Sequence, residues 1–293
     1  MKFLTYRLNE KFGVGILHGT EQFFDLGQDP SLPTDMIALI AGGDQTLSRV
    51  RKVVTQAGAD SLQALSSIEI VAPIPRPSKN VFCVGRNYRG HIIEGARARG
   101  IEVNFPAVPE FFTKPVTSIV GPEAGIRRYQ SLTSQLDYEV ELAVVIGRKT
   151  RDVSVEQALS SVWGYTIINE ISARDLQRAH GQWFKGKGLD TFCPMGPWIV
   201  TADEFGNPEG HRLSLTVNGG VRQASTTTDL LFSVAEIISH LSAGLTLEPG
   251  DIIATGTPSG VALGMSPQAW LEIDDVVAAE IDGIGVLRNR VIP

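Results

Sequence analysis

Leu136-Asp137-Tyr138-Glu139-Val140-Glu141-Leu142-Ala143-Val144-Val145-Ile146-Gly147 is the most informative stretch of the chain. It reads as a β-strand, apolar toward its far end, with two carboxylates, Glu139 and Glu141, two residues apart. Side chains at i and i+2 leave a strand on the same side. Two like charges held side by side cost free energy unless something neutralises them, and a shared divalent cation does so. An exposed edge with two solvated glutamates would fit the same spacing, since charged side chains mostly sit at the surface. The Val144-Val145-Ile146 run argues against it, because it marks a strand entering a core rather than skirting it.

Further along, Trp163-Gly164-Tyr165-Thr166-Ile167-Ile168-Asn169-Glu170-Ile171-Ser172-Ala173-Arg174-Asp175-Leu176-Gln177 supplies a third carboxylate. Its Tyr-Thr-Ile-Ile core is a short buried strand, Asn169 or Ser172 is placed to cap a helical turn, and Glu170 sits where the strand gives out. Three carboxylates with no histidine or cysteine nearby suit a hard cation, Mg²⁺ or Mn²⁺, and not zinc. A separate element, Val84-Gly85-Arg86-Asn87-Tyr88-Arg89-Gly90-His91-Ile92-Ile93-Glu94, places His91 and Glu94 three residues apart, on one face of a helical turn. An imidazole oriented by a carboxylate is the usual equipment of a general base acting on water, although the same spacing is common on plain helix surfaces. Two glycine-rich turns, around Lys185-Gly186-Lys187-Gly188 and Thr255-Gly256-Thr257-Pro258-Ser259-Gly260, allow close approach of backbone to a ligand. Neither has the order of a phosphate-binding P-loop. The glycines of residues 178–188 predict a mobile segment that brings Lys187 to the substrate on closure.

Taken in order, these elements resemble the fumarylacetoacetate hydrolase superfamily. The matching text is Val84-Gly85-Arg86-Asn87-Tyr88 with His91 and Glu94, Phe112-Thr113-Lys114-Pro115, Asp137-Tyr138-Glu139-Val140-Glu141-Leu142, Ser172-Ala173-Arg174-Asp175-Leu176-Gln177, Lys187 with Asp190-Thr191, and Gly256-Thr257-Pro258. The likeness runs from about residue 70 to the C-terminus. It implies that Glu139, Glu141 and Glu170 hold Mg²⁺ or Mn²⁺, that His91 and Glu94 form a water-activating dyad, and that Lys187 is the catalytic cation. Arg86, Tyr88, Arg174, Gln177 and Thr257 match positions that support the site or touch substrate. One position departs: the family's third ligand is usually Asp, where this chain has Glu170. The longer carboxylate shifts the ion or rearranges its shell.

Composition bounds the partners. The 293 residues carry 26 basic and 32 acidic side chains, a net charge of −6, with no basic block, which argues against a nucleic-acid partner. Cys83 and Cys193 are far apart in apolar settings, which predicts reduced thiols in a cytoplasmic protein. The N-terminal Met1–Leu8 stretch lacks the apolar run of a signal peptide, and no run is long enough to cross a bilayer.

Three prolines in residues 72–79 mark a linker. Before it, residues 1–71 read as a small α/β unit, with helices predicted over 34–40, 47–57 and 61–65; after it, residues 80–293 read as the catalytic domain. Hairpin turns are predicted at Asn218-Gly219 and Asp282-Gly283, and a helix over 230–242. The fold expected is mainly β with α elements. The resemblance adds a distorted β-roll or barrel-like catalytic domain, and a homodimer. The activity it implies is hydrolytic C–C cleavage of a 2,4-dioxo acid of acylpyruvate type through a stabilised enolate. The same enolate chemistry serves decarboxylation of oxaloacetate-like acids or isomerisation of an unsaturated 2-oxo diacid. A non-catalytic relative that binds a small acid is the alternative of another class.

Overall fold

In the computed structural model, which describes residues 1–293, the chain is mainly β, with two principal sheets and short helices. The larger sheet has twelve strands. At its middle lies Val140–Ile146, in which every residue is buried. The two faces of this strand enter different cores: Val140, Leu142, Val144 and Ile146 join one apolar cluster, and Ala143 and Val145 join the other. Cover on both faces explains why the strand reads as a continuous apolar run with no alternation.

Val140–Ile146 pairs antiparallel with Val162–Asn169 on one side and with Ile252–Ala254 on the other. Beyond Ile252–Ala254 the sheet continues through Val81–Gly85 to Glu110–Lys114. In the other direction it passes through Cys193–Thr201 to the N-terminal strand Lys2–Leu8, joined by Phe3 opposite Ile199. Residues 1–71 thus extend the main sheet, and the helices Met36–Ala41 and Gly43–Gln56 cover the second core at that end. The proline-rich stretch carries no regular element between Glu69–Val71 and Val81–Gly85.

The five-stranded sheet shares the first core with the central strand, contributing Leu213, Leu215, Ala279, Ile281 and Leu287. Its first hairpin, Arg212–Val217 with Gly220–Thr226, turns at Asn218 and Gly219, whose φ values of 52° and 80° are the left-handed pair that Asn-Gly favours. The path of the large sheet ends at Leu62–Ala64 and at Glu110–Lys114, so the fold is an open, layered roll and not a closed barrel.

Two helix expectations change. Residues 61–65 are not helical: single 3-10 turns flank the strand Leu62–Ala64, which pairs with Gln22–Asp25. So short a helix has no stability of its own against an available sheet edge. The helix expected over 230–242 begins at Val234, because Ser233 and Glu236 form a reciprocal cap there. Leu231 N–H instead donates to Asn87 O at 2.7 Å. No helix is long and apolar enough to cross a membrane, and both cysteines are buried free thiols.

Candidate active site

Strand register builds the acidic cluster. Val140 pairs with Asn169 and Glu141 with Ile168. Carried one residue further, the ladder sets Glu139 opposite Glu170, whose N–H donates to Glu139 O at 2.7 Å. Glu139, Glu141 and Glu170 therefore share one face of the sheet. All three are buried, and one carboxylate oxygen from each lies within 4.8 Å of the others. Asn169 does not cap a helix; its Oδ1 accepts Glu139 N–H at 3.0 Å, at the break between Leu136–Asp137 and Val140–Ile146. Ser172 is not the cap either, since Ala173 begins the helix Arg174–Ala179 without a side-chain bond.

Three buried cations meet these charges. Lys187 Nζ donates to Glu139 Oε2 at 2.8 Å, Glu170 Oε2 at 2.5 Å and Ser172 Oγ at 2.9 Å. Lys114 Nζ donates to Glu170 Oε1 at 2.8 Å and to Ile171 O at 3.1 Å. Arg174 donates to Glu139 Oε1 through Nη2, and to Asp137 Oδ2 at 2.8 Å through Nε. Asp137 is held in turn by the N–H groups of Ala262 and Leu263. Every oxygen of Glu139 and Glu170 thus carries a cationic donor. Glu141 differs: its one hydrogen bond comes from Gly256 N–H at 2.8 Å, and it forms no ion pair.

The electrostatics follow. Burial alone would raise the Glu139 carboxyl, but the Arg174 and Lys187 charges outweigh it and hold the group well below the usual carboxylate range. Burial pushes Glu141 well above that range, and repulsion from Glu170 and Glu139 adds to it. Burial likewise raises Glu170, with Lys114 and Lys187 opposing. Lys187 resists its own burial because Glu139 and Glu170 raise it to about 12. Three clustered oxygen donors, one lacking any counter-charge, fit a hard divalent cation, and Glu139, Glu141 and Glu170 are the residues that would hold it.

His91 stands on the helix Arg89–Arg99, its Nδ1 3.5 Å from Glu94 Oε2. The two atoms face each other beyond normal hydrogen-bond length and have no other partner. Glu94 Oε1 accepts Gly260 N–H at 2.9 Å, and a Cβ on Gly264 would fall 2.2 Å from the Glu94 carboxylate. The glycine-rich turn therefore sets the carboxylate that faces the imidazole.

A cavity of about 280 Å³ gathers most of the residues singled out from the sequence: Glu139, Glu141, Glu170, His91, Lys187, Arg86, Arg174, Gln177 and Thr257 line it. Glu94 stands behind His91. Tyr88, expected at the substrate, is instead buried in the first core, and its backbone bridges Leu230. Thr257 lines the wall while its hydroxyl donates to Val140 O at 3.0 Å and accepts from Gln223 at 2.9 Å. The closure expected to deliver Lys187 is also corrected. Lys187 ends the short helix Phe184–Lys187 and is already bonded to two carboxylates. Gly186 is a packing glycine there: a Cβ on it would lie 2.4 Å from Gln177 N.

Sequence reasoning left three contributors without a role. Lys114, Asp137 and Asn87 were each legible only as members of matching motifs. Asn87 Nδ2 donates to Thr255 O at 2.8 Å and to Phe232 O at 3.0 Å, steadying the turn whose Gly256 N–H reaches Glu141. Gly256 has φ 105°, and a Cβ on it would lie 2.7 Å from Asn87 Cβ.

Residues 80–292 match the family model of the fumarylacetoacetate (FAA) hydrolase C-terminal domain. The chain therefore belongs to the fumarylacetoacetate hydrolase family of enzymes. It is 42% identical over 304 residues to the oxaloacetate tautomerase YisK of Bacillus subtilis (strain 168), across 99% of this chain and 100% of that relative. Among solved structures it is similar to the fumarylacetoacetate hydrolase of psychrophilic Exiguobacterium antarcticum, with a TM-score of 0.84 and 39% identity over 100% of this chain and 99% of the other. It is also similar to the maleylpyruvate hydrolase of Sphingobium sp. SYK-6 in complex with manganese(II) ion and pyruvate, with a TM-score of 0.79 and 27% identity over 100% and 99%.

Proposed function

We propose that this cavity interconverts the keto and enol forms of a small 2-oxo diacid of the oxaloacetate class. The observation that carries the reading is His91, faced by Glu94, and a buried cation, Lys187, set over a floor of three carboxylates, in a chain alike from end to end to an oxaloacetate tautomerase. Tautomerisation moves one proton between C3 and the 2-oxo oxygen through an enolate; no bond between heavy atoms breaks and no water is consumed. A divalent cation held by Glu139, Glu141 and Glu170 supplies Lewis-acid stabilisation of such an enolate when bound.

The chain's own residues do the rest. His91 Nδ1 faces Glu94, which leaves Nε2 to take the C3 proton and deliver it to the enolate oxygen at C2, and to run the same transfer in reverse. Glu94, tied to Gly260, orients the ring. Lys187 stabilises the charge that develops on the substrate. Arg174 and Lys114 hold Glu139 and Glu170 in place from behind.

The second reading is hydrolysis of a 2,4-dioxo acid of acylpyruvate type, with the His91–Glu94 pair activating water; the dyad and the likeness to a maleylpyruvate hydrolase favour it. Enol-oxaloacetate absorbance, followed with Mg²⁺ or Mn²⁺ while pyruvate is assayed in parallel, separates the two. Faster enol loss without pyruvate supports the tautomerase. Pyruvate released in step with enol loss means decarboxylation, and cleavage of a 2,4-dioxo acid without any effect on oxaloacetate means hydrolysis. The homodimer implied by the family resemblance is proposed alongside, to be read by light scattering.

A further inference from the structure

The open end of the cavity carries more positive charge than the floor requires. Arg86, Arg99 and Arg178, which are half-buried or exposed, line the cavity beyond the buried Arg174 of its floor. Arg174 is paired with Asp137 and Glu139, and Arg86 Nη1 donates to Glu110 at 2.9 Å. Arg99 and Arg178 form no ion pair at all. Arg99, the last residue of the helix Arg89–Arg99, donates from Nε to Gly95 O at 2.8 Å, which lays its side chain back along the helix over the cavity wall. Arg178 Nη2 donates to Gln135 Oε1 at 2.5 Å and has no acidic partner. Partial burial, and then the charges of Arg86, Arg174 and Arg178, disfavour the ionised form of Arg99, so these guanidinium groups stand close enough to repel. A guanidinium does not relieve that repulsion by losing its proton; an anion does.

We propose that Arg99, assisted by Arg178, binds the second carboxylate of the substrate and makes the site selective for dicarboxylates over 2-oxo monoacids. This rests on reading the cavity as a 2-oxo-acid site. The acidic floor takes the 2-oxo acid head, and its cations Lys187, Lys114 and Arg174 are already engaged there, so the rim is where unmatched positive charge meets the far end of the ligand. A guanidinium suits that task because its planar fork matches a carboxylate. The cavity's volume of about 280 Å³ is just under the roughly 300–1,000 Å³ that takes drug-sized ligands, so a ligand reaching from floor to rim is a short-chain acid.

L-malate and L-lactate test this, since both are stable 2-hydroxy acids that differ by the second carboxylate. Titration calorimetry with Mg²⁺ present is expected to show wild type preferring malate, and Arg99→Met losing about tenfold to a hundredfold in malate affinity while lactate binding is unchanged. Arg178→Met should lose less, and Arg99→Lys should restore part of the preference. Arg99 is exposed at a helix end, so the variants should melt like wild type. Malate affinity unchanged in both methionine variants, or malate and lactate weakened equally, overturns the proposal. If oxaloacetate is tautomerised but Arg99→Met keeps the malate preference, the rim assignment fails and the tautomerase reading stands. If oxaloacetate is not tautomerised but the preference is lost in Arg99→Met, the rim assignment stands alone. Wild type binding neither acid overturns the rim assignment, and the tautomerase reading then stands or falls on enol-oxaloacetate turnover.

Discussion

Lys114 Nζ lies 2.8 Å from Glu170 Oε1, and neither side chain reaches solvent. The strand Glu110–Lys114 thus delivers a cation to the back of the third carboxylate, and Lys187 takes the other oxygen. Glu170 is thus fixed at one oxygen by a side chain that also bonds Ile171 O, and through its other oxygen it shares Lys187 with Glu139.

Removing one partner of a buried pair leaves an uncompensated charge. Lys114→Met is expected to cost roughly 3–5 kcal/mol in urea unfolding. The double variant Lys114→Met with Glu170→Leu should recover most of that loss, because two apolar side chains replace the pair. A single variant within about 1 kcal/mol of wild type would show that the pair is solvated in solution.

Glu141 makes the opposite prediction. Its folded-state carboxyl is raised by burial and by Glu170 and Glu139, so the fold keeps a proton that the unfolded chain has lost. The stability linked to Glu141 is therefore full below the ordinary carboxylate range and is lost as pH rises through the raised folded value. In EDTA, Glu141→Gln should match or exceed wild-type stability at neutral pH and flatten this fall by up to about 1.4 kcal/mol per pH unit. With Mg²⁺ at about a hundred times its dissociation constant, wild type should gain about 2.7 kcal/mol and the variant almost nothing. Equal Mg²⁺ stabilisation of both proteins would remove Glu141 from the ligand set.

His91 lines the cavity without touching the glutamate floor by any hydrogen bond. His91→Ala should lower turnover by about 10²–10⁴-fold while leaving malate affinity near that of wild type, because it removes proton transfer and not binding. A rise in the Michaelis constant with turnover intact would make His91 a substrate contact only.

Gly186 leaves no room for a side chain against Gln177. Gly186→Ala should push the helices Arg174–Ala179 and Phe184–Lys187 apart and draw Lys187 from Glu139 and Glu170. Activity should then fall more than Gly181→Ala lowers it, since an alanine at Gly181 meets open space and is strained only by its left-handed φ of 67°. Similar losses in the two variants would favour a hinge role for both glycines.

How far the sequence could be read depends on whether a feature is local. Val144-Val145-Ile146 announced a buried strand because its apolar run is contiguous, and Asn218-Gly219 announced its hairpin because the turn itself demands left-handed backbone. Glu139 and Glu141 were legible as a same-side pair. Their meeting with Glu170 came from the family resemblance and not from the local pattern, since it depends on the register that sets Val140 against Asn169. Lys114 stood in a matching motif without a role for the same reason: only the sheet brings residue 114 to residue 170. Tyr88 misled because a motif position says nothing of ring direction, and the glycines at 186 and 188 misled because close packing and hinges select the same residue.

Proton exchange at C3 of oxaloacetate bears most directly on the central claim. In D₂O with Mg²⁺, NMR should show wild type accelerating C3 deuteration well ahead of any pyruvate formation, with His91→Ala and Glu141→Gln near the uncatalysed rate. Pyruvate appearing without C3 exchange, or exchange no faster than the protein-free control, would contradict it.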